Sequence, residues 1–305
     1  VRILILRALG LGDLLTAVPA LRAVRRAHPD AEITLAAPRW LAEVVDRVDA
    51  VDRLLPTAGL VPIEYAEPDL AINLHGRGPQ SVDLLRATHP GELITHGPEH
   101  PWNDEQHEVL RWCSLLAHHG IPADPDDLRL PAGERNGAIV VHPGASHGSR
   151  RWPADRYAEL AGELGPDVVV TGSPDEADLV AAVGAARTQV GGLGALLDLV
   201  AGARVVVCGD TGVAHVATAF GTPSVLLFGP VSPARWGPRS GPHRVLWHGG
   251  TGDTFAAAPD PGLLRITVPE VLGAVRDLVA GQPAGRSRGA TGWPRSASSA
   301  RATSD

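Results

Sequence analysis

The chain has 305 residues, enough for two separate cores, and its apolar fraction of 44% is ordinary for a water-soluble globular protein. Its net charge is −7, all of its Lys-plus-Arg charge is arginine, and no dense basic run carries aromatic neighbours, which argues against general nucleic-acid binding. Two cysteines, Cys113 and Cys208, lie far apart in apolar surroundings, so neither a disulfide framework nor a zinc site is expected, and a reducing compartment is.

Residues 2–6 read as a buried strand, followed by a glycine-containing loop and a helix over 13–27 with Leu14, Leu15, Val18 and Leu21 on one face. Pro19 should kink that helix, because proline lacks a donor and crowds the preceding turn. Strands are predicted at 33–36, 51–55, 70–74 and 93–95, with helices at 40–48, 81–87 and 108–119. The stretch 122–136 is rich in Pro, Asp and Gly and has the character of a linker. The rhythm then restarts, with strands at 138–142, 167–171, 204–208 and 224–228 and helices at 155–164, 175–187, 193–201 and 269–280. Such alternation predicts an α/β protein of two doubly wound parallel sheets: residues 1–133, residues 134–281, and a disordered tail over 282–305. Ligands of open α/β sheets bind beyond the carboxyl ends of the strands, so chemistry belongs on the loops that follow strands. No stretch reaches membrane-span length, and the opening segment is expected to be a strand rather than a signal peptide. The expectation is a monomeric cytoplasmic protein, with peripheral contact to a membrane left open.

The most informative segment is Cys208-Gly209-Asp210-Thr211-Gly212-Val213-Ala214-His215, a strand running into an Ala-rich helix closed by Gly221 and Pro223. Unpaired N–H groups of the first helical turn, the positive end of the helix dipole, the Thr211 hydroxyl and the His215 imidazole converge where a phosphate or diphosphate would be held. The bland alternative is an ordinary strand–helix unit with Asp210 as its cap. After the first strand comes Leu9-Gly10-Leu11-Gly12-Asp13, which lacks the third glycine and the distal acid of a dinucleotide fingerprint. Asp13 is either an N-cap carboxylate or, facing an inter-lobe cleft, a general base.

The loop from His142 through Ser146 ends in Arg150-Arg151-Trp152-Pro153. Two arginines just before a helix oppose its dipole, so they are either an anion clamp or a solvated pair. Thr171-Gly172-Ser173-Pro174-Asp175-Glu176 offers carboxylates that suit ribose hydroxyls or merely the first turn of a helix. Asp124-Pro125-Asp126 reads as turn residues rather than metal ligands.

Taken in order, these loops resemble those of glycosyltransferase family 9, the ADP-heptose:lipopolysaccharide heptosyltransferase family, over nearly the whole chain to about residue 280. The pairing of the Gly12-Asp13 loop with Asp210-Thr211-Gly212-x-x-His215 carries the resemblance, together with Phe228-Gly229-Pro230. It implies a GT-B fold and a metal-independent, inverting transfer of a sugar from an ADP-sugar to a hydroxyl of a glycan, glycolipid or metabolite. No cofactor is expected. By the same resemblance Asp13 is the catalytic base, Ser146, Arg150, Asp210, Thr211, Gly212 and His215 hold the donor, and Glu176 meets the ribose. Arg150 stands where the family usually has lysine. Gly12, His75 and Arg77 are expected toward the acceptor, although Arg77 reads equally as a plain surface arginine. Two rival readings stay open: a nucleotide-sugar epimerase on the same plan, and a non-catalytic nucleotide-sugar-binding protein.

Overall fold

The computed structural model describes residues 1–281; the expected tail lies outside the described residues. β1 (Arg2–Leu6) is exposed only at Arg2, and its four following residues are buried, the pattern of an interior strand covered on both faces. It is followed by α1 (Leu11–Thr16), α2 (Val18–Ala27), β2 (Glu32–Ala37), α3 (Ala42–Val48), β3 (Arg53–Pro56), β4 (Leu70–Asn73), α4 (Gln80–Arg86), β5 (Glu92–Ile94) and α5 (Glu108–His118). The second half contributes β6 (Ile139–His142), α6 (Ala154–Leu164), β7 (Val168–Gly172), α7 (Ala177–Val183), β8 (Thr188–Val190), α8 (Leu193–Gly202), β9 (Val205–Gly209) and α9 (Gly212–Phe220). It is completed by β10 (Ser224–Phe228), α10 (Pro233–Trp236), β11 (His243–Trp247), α11 (Pro261–Leu264) and α12 (Val268–Ala280).

All strand pairs are parallel, in a five-stranded sheet ordered β3-β2-β1-β4-β5 and a six-stranded sheet ordered β11-β10-β9-β6-β7-β8. Strand order reverses between β1 and β4 in one sheet and between β6 and β9 in the other. Those are the two places where connections leave in opposite directions and open a crevice. The loops after β1, β6 and β9 are the ones that the sequence singles out. The two lobes meet through α1 against α9 and α3 against α8, and one apolar cluster runs from Leu14 and Leu15 to Val213 and Ala214.

Five expectations change. The helix expected over 13–27 is two helices, because Pro19 needs no donor in the first turn of a new helix and so starts α2 rather than kinking α1. α1 in turn begins at Leu11, which makes Asp13 its third residue rather than its cap. The helix expected over 175–187 stops at Val183, where Gly184 turns left-handed. β8 and β11 close the second sheet at its edges, and their half-solvated residues lack the continuous apolar run that betrays an interior strand. The segment expected as a linker is irregular but not slack, since Leu130 is buried and its N–H donates to Ala219 O of α9 at 2.9 Å. Both cysteines are buried free thiols.

Candidate active site

A cavity of about 610 Å³ lies between the lobes and is lined from both. It brings together Gly12, Asp13, Ser146, Arg150, Glu176, Asp210, Thr211, Gly212 and His215. From the second lobe, β9 delivers Asp210, and α9 opens onto the cavity at Thr211, Gly212 and Val213, where a helix's first N–H groups have no partner within the helix. Thr211 takes extended backbone and its side chain makes no capping bond, which leaves the hydroxyl for a ligand.

Asp210 is buried, and burial raises its carboxyl above the usual range. Arg150, whose Nη1 stands 3.6 Å from Oδ2, pulls it down, and the charge of Asp13 adds to the rise. The Nε of Arg150 is buried without a hydrogen-bond partner among the described residues. Asp210 is therefore paired with a guanidinium that still has a donor to give, and an entering anion would compete with Asp210 for it. Arg151 does not join it: its Nε donates to Ala145 O at 2.9 Å and staples the loop. A second segment braces the same loop, with Ser149 N–H on Ala256 O at 2.9 Å and Ser149 Oγ on Thr254 O at 3.0 Å. Of the clamp expected from both arginines, only Arg150 lines the cavity.

Glu176 follows β7. Its Oε2 accepts the Ser173 N–H at 2.9 Å and the Ser173 hydroxyl at 3.1 Å, so the capping role and the cavity position belong to one carboxylate, with Oε1 left over. Gly144 makes room for it, since a β-carbon there would collide with the Glu176 carboxylate. His215 is half-buried one turn into α9. Burial, reinforced by nearby His107, pushes its imidazole down to about 4, so it faces the cavity as a neutral ring with one N–H to donate. Gly12 of the opposite lobe lies against that ring; a β-carbon at position 12 would sit 2.6 Å from His215 Cδ2.

The first lobe contributes Asp13, 30% exposed in its side chain. Its Oδ2 accepts the Gly10 N–H at 3.2 Å, a carboxylate at the third helical position reaching back to the helix start. Burial raises the Asp13 carboxyl, Arg7 opposes the rise and Glu108 adds to it. A carboxylate shifted in this direction is a better proton acceptor at neutral pH than an ordinary one. His75 and Arg77 are not among the residues lining the cavity. His75 Nδ1 accepts the Ala8 N–H at 3.2 Å on the flank of the Asp13 loop, and Arg77 is exposed with Asp104 at 3.9 Å.

Sequence reasoning passed over several cavity residues. His142 ends β6 with Nδ1 at 3.0 Å from the Thr171 hydroxyl, Trp40 reaches in from the 3-10 turn that precedes α3, and Leu193, Leu196 and Trp236 add apolar wall. Trp40 alone left a signal, an aromatic in the loop that follows a predicted strand, and in the structure it is 54% exposed. Behind Asp13 lies a second omission, Arg7, which directly follows the apolar run Ile3 to Leu6 of β1 and is itself completely buried.

A family model described as glycosyltransferase family 9 (heptosyltransferase) matches residues 94–255. The Escherichia coli K12 protein called lipopolysaccharide heptosyltransferase 2 is 26% identical over 307 residues, which cover 80% of this chain and 87% of its own. Lipopolysaccharide heptosyltransferase 1 of the same strain is 23% identical over 284 residues, covering 76% of this chain and 89% of its own. The crystal structure of a family 9 glycosyl transferase from Veillonella parvula DSM 2008 matches with a TM-score of 0.76 at 23% identity, over 92% of this chain and 98% of that one. The structure of E. coli ADP-heptose lps heptosyltransferase II follows at 0.75 and 22%, over 92% and 99%. Two parallel-sheet lobes facing across a shared cavity are the GT-B fold, and with more than half of its length under the family model this chain belongs to glycosyltransferase family 9 and is a glycosyltransferase.

Proposed function

We propose that the protein transfers a heptose from ADP-heptose to a hydroxyl of a glycan or glycolipid acceptor, in one inverting displacement and without a metal. The observation that carries this reading is the meeting, in one inter-lobe cavity, of a carboxylate from the first lobe with the cationic and N–H donors of the second. The curated relatives are named as lipopolysaccharide heptosyltransferases, which supports the donor and acceptor class.

Asp13 would take the proton of the acceptor hydroxyl as its oxygen attacks the anomeric carbon. The bond from that carbon to the diphosphate breaks on the opposite face, and ADP leaves with the electron pair. Arg150, the α9 N-terminus, the Thr211 hydroxyl and the neutral His215 N–H are the groups suited to the charge growing on the diphosphate. Glu176 Oε1 would accept from the adenosine ribose. Among the described residues no group of three or more His, Cys, Asp or Glu side chains is gathered as a metal site. Nor is any described helix long and apolar enough to cross a membrane, and we place the protein, as a monomer, on the cytoplasmic side, working on an acceptor it meets in solution or at a membrane face.

The test is purified protein with ADP-heptose, with and without a heptose-accepting glycolipid, in buffer containing EDTA. Release of ADP only when acceptor is present, undiminished by the chelator, is the expected result. Isomer exchange of the sugar without acceptor, or tight ADP binding with no turnover, would replace this reading with an epimerase or a sensor.

A further inference from the structure

Arg7 is fully buried, yet its guanidinium is engaged on every side. Nε donates to Asp13 O at 2.9 Å, and Nη2 donates to the Thr16 hydroxyl at 3.1 Å and to Glu108 Oε1 at 3.2 Å. Nη1 donates to Leu74 O just beyond β4. The Thr16 hydroxyl in turn donates to Asp13 O at 2.8 Å, and the guanidinium lies 4.7 Å from the centre of the Trp112 ring. Glu108 is held as firmly, accepting from Trp112 Nε1 at 2.9 Å and from Arg111 Nε at 3.0 Å. Burial pushes the Glu108 carboxyl up, but the two arginines outweigh burial and leave it below its usual range, hence ionised.

From this geometry, and resting on the proposed role of Asp13, we infer that Arg7 and Glu108 are a positioning pair for the catalytic carboxylate. Arg7 bolts the turn that carries Asp13 to the end of β4 and to α5, and Glu108 supplies the counter-charge that keeps Arg7 from holding the Asp13 proton affinity low. The side chains make this a division of labour. The planar fork of Arg7 addresses the Asp13 backbone carbonyl with Nε, while its Nη2 stays 3.8 Å from the Asp13 carboxylate itself. The carboxylate is thereby oriented without being captured in a short bidentate pair, and one oxygen is free to face the cleft. Other charges near Asp13 are Asp210 across the cavity with its partner Arg150, and Arg111 behind Glu108; His75 and His215, both pushed down to about 4, are neutral at working pH.

Three variants test the pair, with two readouts: the titration of the Asp13 carboxyl by carbon-13 NMR, assigned by its loss in Asp13→Asn, and steady-state turnover of ADP-heptose against pH. Glu108→Gln keeps a hydrogen-bond acceptor and removes the charge, so the Asp13 titration and the acidic limb of kcat should both move to lower pH by about half a unit to one unit. Arg7→Gln should move both the other way. Arg7→Lys keeps the charge and loses the fork, so kcat should fall on the order of 10- to 100-fold while the acidic limb stays and ADP affinity changes less than twofold. Should the Arg7 variants fail to fold, the Glu108→Gln titration decides alone. An Asp13 titration unmoved or raised in Glu108→Gln, or full kcat in Arg7→Lys, overturns the inference. Undiminished turnover of Asp13→Asn would remove the base assignment instead, and the NMR titration would still decide whether Arg7 and Glu108 govern that carboxyl.

Discussion

The two lobes share a fold and an orientation of their switch points, yet they spend their polar groups differently. In the first lobe the charges behind Asp13 are satisfied by protein: Arg7, Glu108, Arg111 and Trp112 Nε1 form a closed set, and one carboxylate emerges from it. In the second lobe the counterparts are left incomplete. Among the described residues Arg150 keeps a buried donor unpaired, Thr211 makes no cap and Glu176 has an oxygen to spare. A reacting group is best held in place before substrate arrives, whereas groups that grip a large anion need open valences until it does. The comparison assigns preorganisation to one lobe and reception to the other.

The strongest way to break it is to remove one group from each side and separate turnover from binding. Asp13→Asn should lower kcat by about 10²–10⁴-fold while ADP affinity, measured by calorimetry, stays within about twofold. Arg150→Ala should cost about 2.7–4 kcal/mol of barrier, roughly 10²–10³-fold in kcat, and should weaken ADP as well. If both variants lost binding and turnover in the same proportion, the division between the lobes would be fictitious.

Much of this division was legible in the residues, and unevenly so. The second lobe was the more readable, because Asp210-Thr211-Gly212 and His215 lie within one strand-turn-helix, although it took their pairing with the Gly12-Asp13 loop to carry the family resemblance. Glu176 and Arg150 were open between a ligand role and a plain helix-start role on their strands alone, and only the resemblance to the family turned them toward the donor. Asp13 was visible, but its setting was not: Glu108 comes about a hundred residues later, and nothing local says that α5 will pack its carboxylate beneath β1. The same limit hid Trp40, Leu193 and Leu196, which meet only once α3 lies on α8. His75 and Arg77 lay on a loop of the correct sheet edge, but the structure does not place them among the residues lining the cavity, and a period-based reading has no means of telling a loop's flank from its tip. The edge strands β8 and β11 escaped for a related reason, since solvent on one side removes the apolar run by which strands are found.

The seam between the lobes gives a sharper test. Gly12→Ala puts a methyl where His215 stands, and because the neighbouring atoms belong to a ring packed edge-on to Trp236 at 6.0 Å, the ring must shift. An ångström of displacement there should lower kcat/KM about tenfold, with stability little changed. Wild-type kcat/KM in Gly12→Ala would mean that the ring gives way freely and has no part in catalysis. His215→Ala itself should weaken ADP by roughly 3- to 10-fold, the worth of one neutral hydrogen bond of about 0.5–1.5 kcal/mol. With an imidazole pushed down to about 4, no histidine-like step in ADP affinity should be traceable to this residue between pH 5.5 and 8; finding one that disappears in His215→Ala would show the ring to be charged in the complex.

The smallest effect is also the most telling about how the first lobe is built. The Asp13 carboxyl is raised above its unfolded value by burial, so the folded chain binds that proton more tightly than the unfolded chain does. Stability is therefore lost as pH rises from the unfolded value through the folded one, and at pH 7 the ionised carboxylate opposes folding. Asp52 is the opposite case: the Ile33 N–H at 2.7 Å and the Arg25 guanidinium lower its carboxyl, so its contribution is present at neutral pH and lost as pH falls through the folded value. Asp13→Asn should accordingly raise Tm at pH 7, on the order of 2 °C, while Asp52→Asn lowers it by a comparable amount. As the pH is lowered the Asp13 difference should shrink first, because its raised carboxyl reaches the neutral state that asparagine mimics, whereas the Asp52 difference should persist until the pH falls through that group's lowered value. A drop in Tm for Asp13→Asn at pH 7 would mean that the carboxylate stabilises the fold it sits in, and the reading of Asp13 as a group held ready at the expense of stability would have to be given up.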